Sequence, residues 1–389
     1  IVFYPIFGIH FQCSSYIYRC PEKEVRLKKF SLRNRYLYPL VLMLALVAGI
    51  VPANSARTVE EEEKTHGTEE EFDAATFIME HVSDAHEWHL LTRKDGTHVA
   101  VYLPVILFDR ESGIHVFSSK KIAHGHSYNG FAKAHDGEYA GKIIRVDEHG
   151  HHDGSKPPLD FSITKTVFGM LVAAVILLWL MLALARSYKK SGISAPKGIQ
   201  GVLEPVILFI RDDVAIPNIG EHRYGKFMPY LLTVFFFILI NNLLGLIPIF
   251  PFGANVTGNV NVTFVLALFT FLITQFSANK THWRHVFAAP GVPFWLLPIM
   301  IPIEIIGLFS KPFALMIRLF ANITAGHIIV LSLVTLIFIF KSVLVAPVSI
   351  FFVLFMDCIE LLVAFLQAYV FTLLSALFIG MATAEPEHH

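Results

Sequence analysis

An arginine lies deep inside one of the most apolar stretches of this sequence. The segment "KPFALMIRLFANITAGHIIVLSLVTLIFIF", from Lys311 to Phe340, carries Arg318 seven residues after its start. A charged side chain at the centre of a lipid bilayer costs about 2.5–3.5 kcal/mol on insertion scales, and charged residues found there are functional by default. Arginine keeps its proton at working pH, so Arg318 cannot carry protons itself, but it can hold a nearby carboxylate in the ionised state.

Further polar residues lie on the same predicted helix. At about 100° per residue, Asn322 shares the face of Arg318, and Glu304 lies close to that face if the helix is unbroken. His327 is nine residues beyond Arg318 and faces the other way. The helix therefore presents two polar faces, one with an arginine and an amide, the other with a titratable imidazole. For Glu304 the alternative is a cap or an ion pair with Lys311.

A second apolar segment carries Asp357, Glu360 and Gln367. Glu360 and Gln367 are seven residues apart and share a stripe, and Asp357 precedes Glu360 by one turn. Carboxylates and imidazole titrate and can relay protons, so a fixed cation bordered by such groups suits a device that loads and unloads a mobile carboxylate. The simpler alternatives are a structural salt bridge for Arg318, a static hydrogen bond between His327 and Glu360, and an interfacial position for Asp357.

Both of these segments are too long for a simple membrane crossing. Residues 294–340 number 47 and residues 343–381 number 39, without a convincing polar turn in either. As helices they would measure about 70 and 58 Å, against a hydrocarbon core of about 30 Å. Either each segment breaks into two helices, for which Pro298, Pro302 and Pro312 could provide kinks in the first, or both form a long, steeply tilted hairpin. The missing turns favour the hairpin.

Three earlier stretches are also apolar and long enough to cross a membrane: residues 167–185, 227–250 and 260–278. The basic sequences "RSYKK" and "NKTHWRH" follow the first and the third, whereas the loop "PFGANVTGN" has no Lys or Arg. Because positive residues cluster on the cytoplasmic side, the first helix is predicted to run from outside to inside. "GVLEPVILFIRDD" is too short and polar to span and indicates an interfacial helix. We therefore predict an all-α polytopic membrane protein with about five membrane-embedded helices, the last two forming the tilted hairpin.

The first 160 residues have a different character. "KKFSLRNRYLYPLVLMLALVAGIVPANSARTVEEEE" combines a basic start, a short apolar core and a small-residue site, which is typical of a cleaved signal peptide. We interpret residues 1–56 as an upstream segment and signal peptide, with an uncleaved anchor as the alternative. Residues 57–160 hold twelve of the nineteen histidines and short runs such as "HVAVYLPVILF", which indicate a small β-containing module outside the cytoplasm. Residues 161–389 are the predicted membrane domain.

The composition supports a membrane protein and argues against several other classes. The chain is 54% hydrophobic with zero formal net charge and a mean hydropathy of +0.57, and it has no basic tract that would predict nucleic-acid binding. Its three cysteines lack zinc or redox spacing, and the phosphate-loop pattern "GxxxxGK[ST]" is absent. We therefore expect no cofactor, no metal and no ATP chemistry on this chain. A zinc site built from His81, His86 and Glu87 or His89 is an alternative without a tight ligand pattern.

The membrane part resembles the a subunit of F-type ATP synthases, the stator channel of the membrane sector, over roughly residues 161–381. "SKPFALMIRLFANITAGH" is similar to the family's arginine helix, and "FMPYLLTVFFFILINNLLGLIP" and "ELLVAFLQAYVFTLL" are similar to two further family segments. The resemblance implies that Arg318 is the essential arginine facing the ring of c subunits. It also implies that Asn322 and Gln367 are its polar neighbours, with Gln367 approaching from the second hairpin helix, and that Glu304 matches an acidic family position.

Two features depart from common family sequences. Ala321 stands where the family often has glycine, and His327 and Glu360 reverse the glutamate and histidine of many bacterial members. The reversed pair still supplies one carboxylate and one imidazole. The implied path leads protons through an outer half-channel, past this pair, to a c-ring carboxylate, and out through an inner half-channel after almost a full revolution. Arg318 would separate the two half-channels, and Asn242 and Asp357 are further candidates for the access path.

The resemblance also implies partners and a location. The partners are the c-subunit ring, the b-subunit peripheral stalk, the remainder of the F-type ATP synthase and membrane lipid, with no nucleic acid. The location is the bacterial plasma (inner) membrane. A polytopic secondary transporter with a buried charged substrate site is the alternative, although the internal repeats and short broken helices that such proteins favour are not evident. A metal-binding sensor module fused to a membrane anchor is a further alternative.

Overall fold

The structure is a computed structural model in which a group of short β-strands precedes a bundle of helices. It describes residues 82–92, 98–110, 112–123, 126–134, 141–147, 157–191, 198–247, 252–287, 294–340 and 345–384, together with residues 78 and 139. The predicted signal peptide, residues 1–56, lies outside these ranges.

The strands form three small antiparallel sheets within the described residues. β1 pairs with β2, β3 lies between β4 and β7, and β5 pairs with β6. The strands are β1 Glu87–Thr92, β2 His98–Tyr102, β3 Pro104–Asp109, β4 Gly113–Ser118, β5 Phe131–Lys133, β6 Ile143–Arg145 and β7 Leu159–Asp160. The β structure predicted for this part of the chain is therefore present, and its short strands alternate with turns that include positive φ angles at Gly113, Asn129 and Gly130.

Helices dominate from residue 165 onward. They are α1 Lys165–Ser191, α2 Ile199–Phe209, α3 Ile216–Ile219, α4 Tyr224–Gly245, α5 Val260–Ser277, α6 Lys280–Phe287, α7 Leu297–Phe340 and α8 Val345–Thr383, with a π-helical turn joining α2 to α3. In the part of the chain that the structure describes, α1, α4, α5, α7 and α8 are long and apolar enough to cross a membrane. The prediction of about five membrane-embedded helices is confirmed.

The last two helices are continuous along their whole length. α7 has 44 residues and includes Pro302 and Pro312 in its interior, while α8 has 39 residues. At about 1.5 Å per residue they measure about 66 and 58 Å, twice the thickness of a hydrocarbon core. The alternative, in which each of the two segments breaks into two shorter helices, is wrong. Close to their junction, the Ser349 hydroxyl donates a hydrogen bond to the Leu333 carbonyl at 2.5 Å, as expected of a helical hairpin.

α4 lies at the centre of the bundle. Leu231, Val234 and Phe235 of this helix are completely buried, and the Phe235 ring packs edge-on against Phe365 of α8 with centroids 5.8 Å apart. Tyr230 extends the contact by sharing a 2.7 Å hydrogen bond with Thr270 of α5. Close packing of these side chains and the interhelical hydrogen bond hold α4 against α8 and α5, because in lipid the burial of apolar surface gives no driving force between helices.

The bundle has two ends that matter for the site. Residues 252–259 connect α4 to α5 at one end, called here the loop end. At the other, called the basic end, the Asn279 side chain donates to the Thr383 carbonyl at 2.7 Å, and Asn279 N–H donates to the Ala382 carbonyl. These bonds satisfy carbonyls that the last turn of α8 would otherwise leave without partners.

The β-strands are fixed to the start of α1. Asp84 Oδ1 accepts a hydrogen bond from Thr166 N–H at 3.0 Å and so acts as a distant cap of this helix. His86 Nε2 lies 3.0 Å from Asp160 Oδ2. Burial raises the pKa of the Asp160 carboxyl, but the hydrogen bond and charge of His86 and the bonds from Ser162 outweigh it, so the pKa lies below its ordinary value. His86 is thus engaged by a carboxylate, and His81 of the suggested zinc set lies outside the described ranges.

Two helix ends differ from the prediction. α1 continues to Ser191, past the predicted end at residue 185, because basic side chains in "RSYKK" favour the negative end of the helix dipole. α4 ends at Gly245 rather than near residue 250. Pro248 follows shortly afterwards, and a residue before proline disfavours the helical conformation.

Candidate functional site

Arg318 lies midway along α7 and is exposed. Within the described ranges no carboxylate forms an ion pair with it. The alternative of a structural salt bridge inside α7 therefore finds no support. An arginine in a membrane-spanning helix that lacks a partner among the described residues needs one from elsewhere, because leaving the charge unpaired in lipid is costly.

Three small residues lie on the same face of α7 as Arg318. Ala314, Ala321 and Ala325 lie four residues before and three and seven residues after Arg318, and all three are exposed. These spacings place them on the same helix face, and small residues allow another helix to approach closely. Asn322, one turn beyond Arg318, is also exposed.

Glu304 and Lys311 lie on the same helix before Arg318. The Lys311 ammonium lies 5.9 Å from the centroid of the Phe378 ring of α8. Among the residues described, no ion pair joins Lys311 to Glu304, which is half-buried. The pairing suggested as an alternative role for Glu304 is therefore not formed.

His327 and Glu360 come together across the hairpin. His327 Nδ1 of α7 lies 3.5 Å from Glu360 Oε1 of α8, and the two side chains are 18% and 11% exposed. Both atoms are buried, and in the part of the chain described neither has a hydrogen-bond partner. The pair is therefore close enough for a proton to pass with a small movement, but it is not locked in a static hydrogen bond.

Two glycines make room for this pair. At Gly326 a Cβ atom would fall inside van der Waals contact of the Glu360 carboxylate and would lie 3.2 Å from its Cγ. At Gly245 of α4, a Cβ atom would lie 3.7 Å from His327 Nε2. The backbones of α7 and α4 therefore line the space that holds the Glu360 carboxylate and the His327 ring.

Asn242 joins the loop end to α8. Its Nδ2 donates to the Ala364 carbonyl at 3.2 Å, and its Oδ1 accepts from the Thr257 hydroxyl at 2.6 Å. Thr324 of α7 donates in turn to the Gly258 carbonyl at 3.4 Å. These buried bonds hold residues 252–259 against the same part of α7 and α8 that carries His327 and Glu360.

The remaining predicted residues are distributed around this pair. Asp357 is exposed, one turn before Glu360, whereas Gln367 is buried. Gln367 is buried and Arg318 is exposed, and no hydrogen bond joins them among the described residues. The approach of Gln367 to Arg318 stays a prediction.

A small cavity lies towards the basic end. Its volume is about 30 Å³, and Lys311, Gln275, His282 and Thr274 are among its lining residues. This space suffices for a water molecule. Gln275 Oε1 is buried there without a hydrogen-bond partner among the described atoms. The His327–Glu360 pair and this cavity therefore flank Arg318 along α7, one on each side.

Comparison with known families identifies the helical part. A family model described as "ATP synthase A chain" matches residues 167–380. The chain belongs to this family. The match begins two residues inside α1, ends three residues before the end of α8 and includes Arg318, His327 and Glu360, so the ATP synthase interpretation prevails over the secondary transporter. A second family model, described as a domain of unknown function, matches residues 77–161.

Curated relatives agree with the family model. ATP synthase subunit a of Chloroherpeton thalassium is 54% identical over 235 residues, which cover 59% of this chain and 69% of the relative. ATP synthase subunit a 2 of Chlorobaculum tepidum is 57% identical over 237 residues, covering 59% and 66%. ATP synthase subunit a 2 of Chlorobium luteolum is 47% identical over 282 residues, covering 66% and 81%. The chain is thus similar to F-type ATP synthase a subunits.

Several residues at the site were not predicted from the sequence. Thr257 and Gly258 lie in a loop that was interpreted only by its lack of basic residues. Gly326 carried a usable signal, because glycine disfavours a helix interior by about 1 kcal/mol relative to alanine and often marks a close approach. Its partner on α8 was not evident from that signal.

Proposed function

We propose that this chain is the proton-channel stator subunit of an F-type ATP synthase, in which Arg318 separates two offset half-channels that lead to and from the carboxylates of a c-subunit ring. The proposal rests on Arg318, which is exposed midway along an apolar helix and has no ion-pair partner among the described residues. A carboxylate on a neighbouring rotor is the partner that such a charge requires. The small residues around it would let a rotor helix pass at close range.

The outer half-channel uses the His327–Glu360 pair. A proton reaches His327 or Glu360, crosses the 3.5 Å between Nδ1 and Oε1, and is passed to a c-ring carboxylate. Asn242 lines this route through its bonds to the loop end and to α8. Asp357, Asn322 and Gln367 would line the route between the pair and the rotor.

The inner half-channel starts from the small cavity at the basic end. Lys311, His282 and Gln275 surround a space that can hold water, and Glu304 lies further along α7. A proton released from the rotor near Arg318 would leave through this water. The two routes lie on opposite sides of Arg318. A proton can therefore pass from one to the other only while it is bound to a c-ring carboxylate and carried by rotation of the ring.

Rotation follows from the cost of charge in lipid. A protonated carboxyl group can face the hydrocarbon, whereas an ionised one costs about 2.5–3.5 kcal/mol at the bilayer centre and stays close to arginine. Arg318 also displaces the proton of the next carboxyl that reaches it, because an adjacent cation favours the ionised form. Loading from one side and release on the other therefore gives the ring a direction.

The same proposal implies the partners of the chain and its location. Its partners would be the c-subunit ring, the b-subunit peripheral stalk and the remaining subunits, on which ATP chemistry takes place, so the chain itself would be non-catalytic. It would lie in the plasma membrane of a bacterium, with residues 57–160 as a module outside the cytoplasm and residues 161–389 as the membrane domain. Basic residues after α1 and α5 support this orientation.

Cross-linking to the rotor tests the proposal. With the native cysteines changed to serine, Ala325→Cys is expected to form a disulfide with a cysteine placed beside the c-subunit carboxylate, because Ala325 is exposed on the Arg318 face and disulfides need Cα atoms within about 7 Å. Ala364→Cys is the matched control, since that alanine is 1% exposed. Oxidation followed by electrophoresis of the assembled enzyme measures the product. Cross-linking at Ala364 but not at Ala325 or Ala321 would reject the Arg318 face as the rotor surface.

Substitution of Gly326 tests the proton pair. Gly326→Ala is expected to push the Glu360 carboxylate away from His327, since the new Cβ would occupy its place. Displacing a reacting group by about 1 Å can cost about 10²-fold in rate, so we expect ATP-driven pumping to fall by about 10- to 100-fold.

Gly307→Ala on the same helix is the control for this substitution, because no atom lies within 4 Å of a Cβ there. Acridine-dye quenching in inverted vesicles, with assembly checked by immunoblot, gives the rates. Equal pumping by both variants would show that the position of Glu360 does not limit proton transfer.

A further inference from the structure

The three-stranded sheet β4-β3-β7 has apolar side chains on both of its faces. One face presents Val105, Leu107 and Phe117, which are buried with Phe131 and Ile143. This is the core of the strand region. A sheet with one solvated face normally alternates apolar and polar residues along each strand, so the composition of the other face requires a separate explanation.

That other face is one continuous apolar patch. Phe108 lies opposite Ile114 on one side and Leu159 on the other, and Ile106 lies opposite Val116. Ile114 and Val116 are 70% and 66% exposed, and Phe108, Leu159 and Phe161 each exceed 40%. The outer sheet face is defined here as Ile106, Phe108, Ile114, Val116, Leu159 and Phe161. Contiguous apolar patches of this kind mark interaction surfaces or membrane contacts.

The outer sheet face is tied to the first membrane helix. Phe161 N–H donates to the Ile106 carbonyl at 2.9 Å and Ile163 N–H to the Pro104 carbonyl at 3.1 Å, which extends the β7 pairing towards α1. α1 begins at Lys165, whose N–H donates to the Ala85 carbonyl at 2.9 Å. Phe161 is four residues from Lys165, so the two lie within about 14 Å even if the chain is fully extended.

We propose that the outer sheet face rests on the lipid surface beside α1, with its apolar side chains inserted at the boundary between headgroups and acyl chains. α1 has its own exposed apolar side chains, Leu171, Val175 and Trp179 among them, which meet lipid in a membrane-spanning helix. The outer sheet face is joined to the start of this helix through the backbone bonds of Phe161 and Ile163. Lys120 and Lys121, directly after β4, are exposed and suit the phosphates of anionic lipids.

This inference assigns a role to the residues that match a domain of unknown function. The strands would form a membrane-resting anchor that holds the start of α1 at a fixed depth. It extends the proposed function to a lipid contact, and its test does not depend on the proton path. Interfacial elements of this kind bury their apolar side chains by about 5–10 Å.

Spin-label accessibility in the assembled enzyme tests the contact. After replacement of the native cysteines by serine, a nitroxide is attached to Ile114→Cys, and in a second sample to Ser127→Cys, an exposed position of the strand region outside the patch. The enzyme is reconstituted in vesicles of phosphatidylcholine and phosphatidylglycerol. Oxygen, which concentrates in lipid, is expected to relax the label at 114 more than a water-soluble nickel chelate does, and the order should reverse at 127. Adding Val116→Glu should move the label at 114 towards the nickel-accessible pattern.

Three other outcomes would overturn the proposal. Nickel access at 114 equal to that at 127 would mean that the face lies in water. Shielding from both reagents would mean that another subunit covers it. Spin–spin broadening that increases with the protein-to-lipid ratio would mean that a second copy does. Pumping is measured in the same vesicles, so a water-exposed label in a pumping enzyme would reject the lipid contact and leave the proton function in place.

Discussion

Replacement of Arg318 by alanine is expected to abolish ATP-driven proton pumping while the enzyme still assembles. The side chain is exposed and has no ion-pair partner among the described residues, so its loss removes no packing from the bundle core. It removes the charge that keeps a rotor carboxylate ionised between the two half-channels. The variant should therefore fold and assemble, but fail to release protons from the ring.

The size of this effect follows from electrostatics. An adjacent cation lowers the pKa of a carboxyl group by about 1–3, which changes the ratio of ionised to protonated carboxyl about 10- to 1000-fold. Proton release at the separator should fall by a comparable factor. Without the positive charge a proton can also pass directly between the two routes, so passive conductance is expected to rise.

Vesicles containing the assembled enzyme allow both quantities to be measured, pumping by dye quenching and passive flux after an imposed pH jump. Arg186→Ala is the matched control, because it removes an exposed arginine of α1 that lies outside both proposed routes. We expect Arg186→Ala to retain most of the pumping, and Arg318→Lys to show a large loss because a flexible ammonium cannot reproduce the planar guanidinium. Normal coupled pumping by Arg318→Ala would refute the separator role.

Removal of the carboxylate of Glu360 is expected to have the second largest effect. Glu360→Gln keeps the shape of the side chain but cannot accept the proton held by His327, 3.5 Å away. Positioned acid–base groups contribute about 10²–10⁴-fold to proton-transfer rates. We therefore expect proton pumping to fall by at least about 10²-fold. Assembly should be unchanged, and passive proton conductance should stay low because Arg318 is still present.

Exchange of the two residues provides a sharper test. His327→Glu alone leaves two carboxylates and Glu360→His alone leaves two imidazoles, whereas the double exchange restores one of each. Pumping by the double variant should exceed that of both single variants, because the relay needs an acid and a base close together and not a particular order. If the double variant pumps no better than the single variants, the space beside Gly326 and Gly245 must accept the imidazole only on α7 and the carboxylate only on α8.

The pattern of apolar and polar residues was sufficient to predict the membrane spans. Five long apolar stretches became five helices, because backbone groups in lipid must be hydrogen-bonded within the segment. The absence of polar turns correctly indicated that α7 and α8 are each continuous. Helix ends were predicted less well, as at Gly245 and Ser191, since local effects of proline and terminal charge decide them.

The sequence alone also located the individual charged residues. Arg318 and Asn322 share a face because of the helical period, and both are exposed. Periodicity is a property of one helix and needs no knowledge of its neighbours. For the same reason it could not decide whether Arg318 had a partner within the chain.

Only the tertiary structure decided which residues meet. His327 and Glu360 are adjacent because α7 and α8 pack in one particular register, which depends on side-chain shapes along the whole interface. Thr257 reaches Asn242 because a loop without regular structure folds back onto the bundle. The outer sheet face could not be predicted from the sequence either. Runs such as "HVAVYLPVILF" show apolar residues, but they do not show which of these residues the sheet buries. Helical and strand periods follow from local backbone geometry, whereas contacts between elements depend on packing that no single segment encodes.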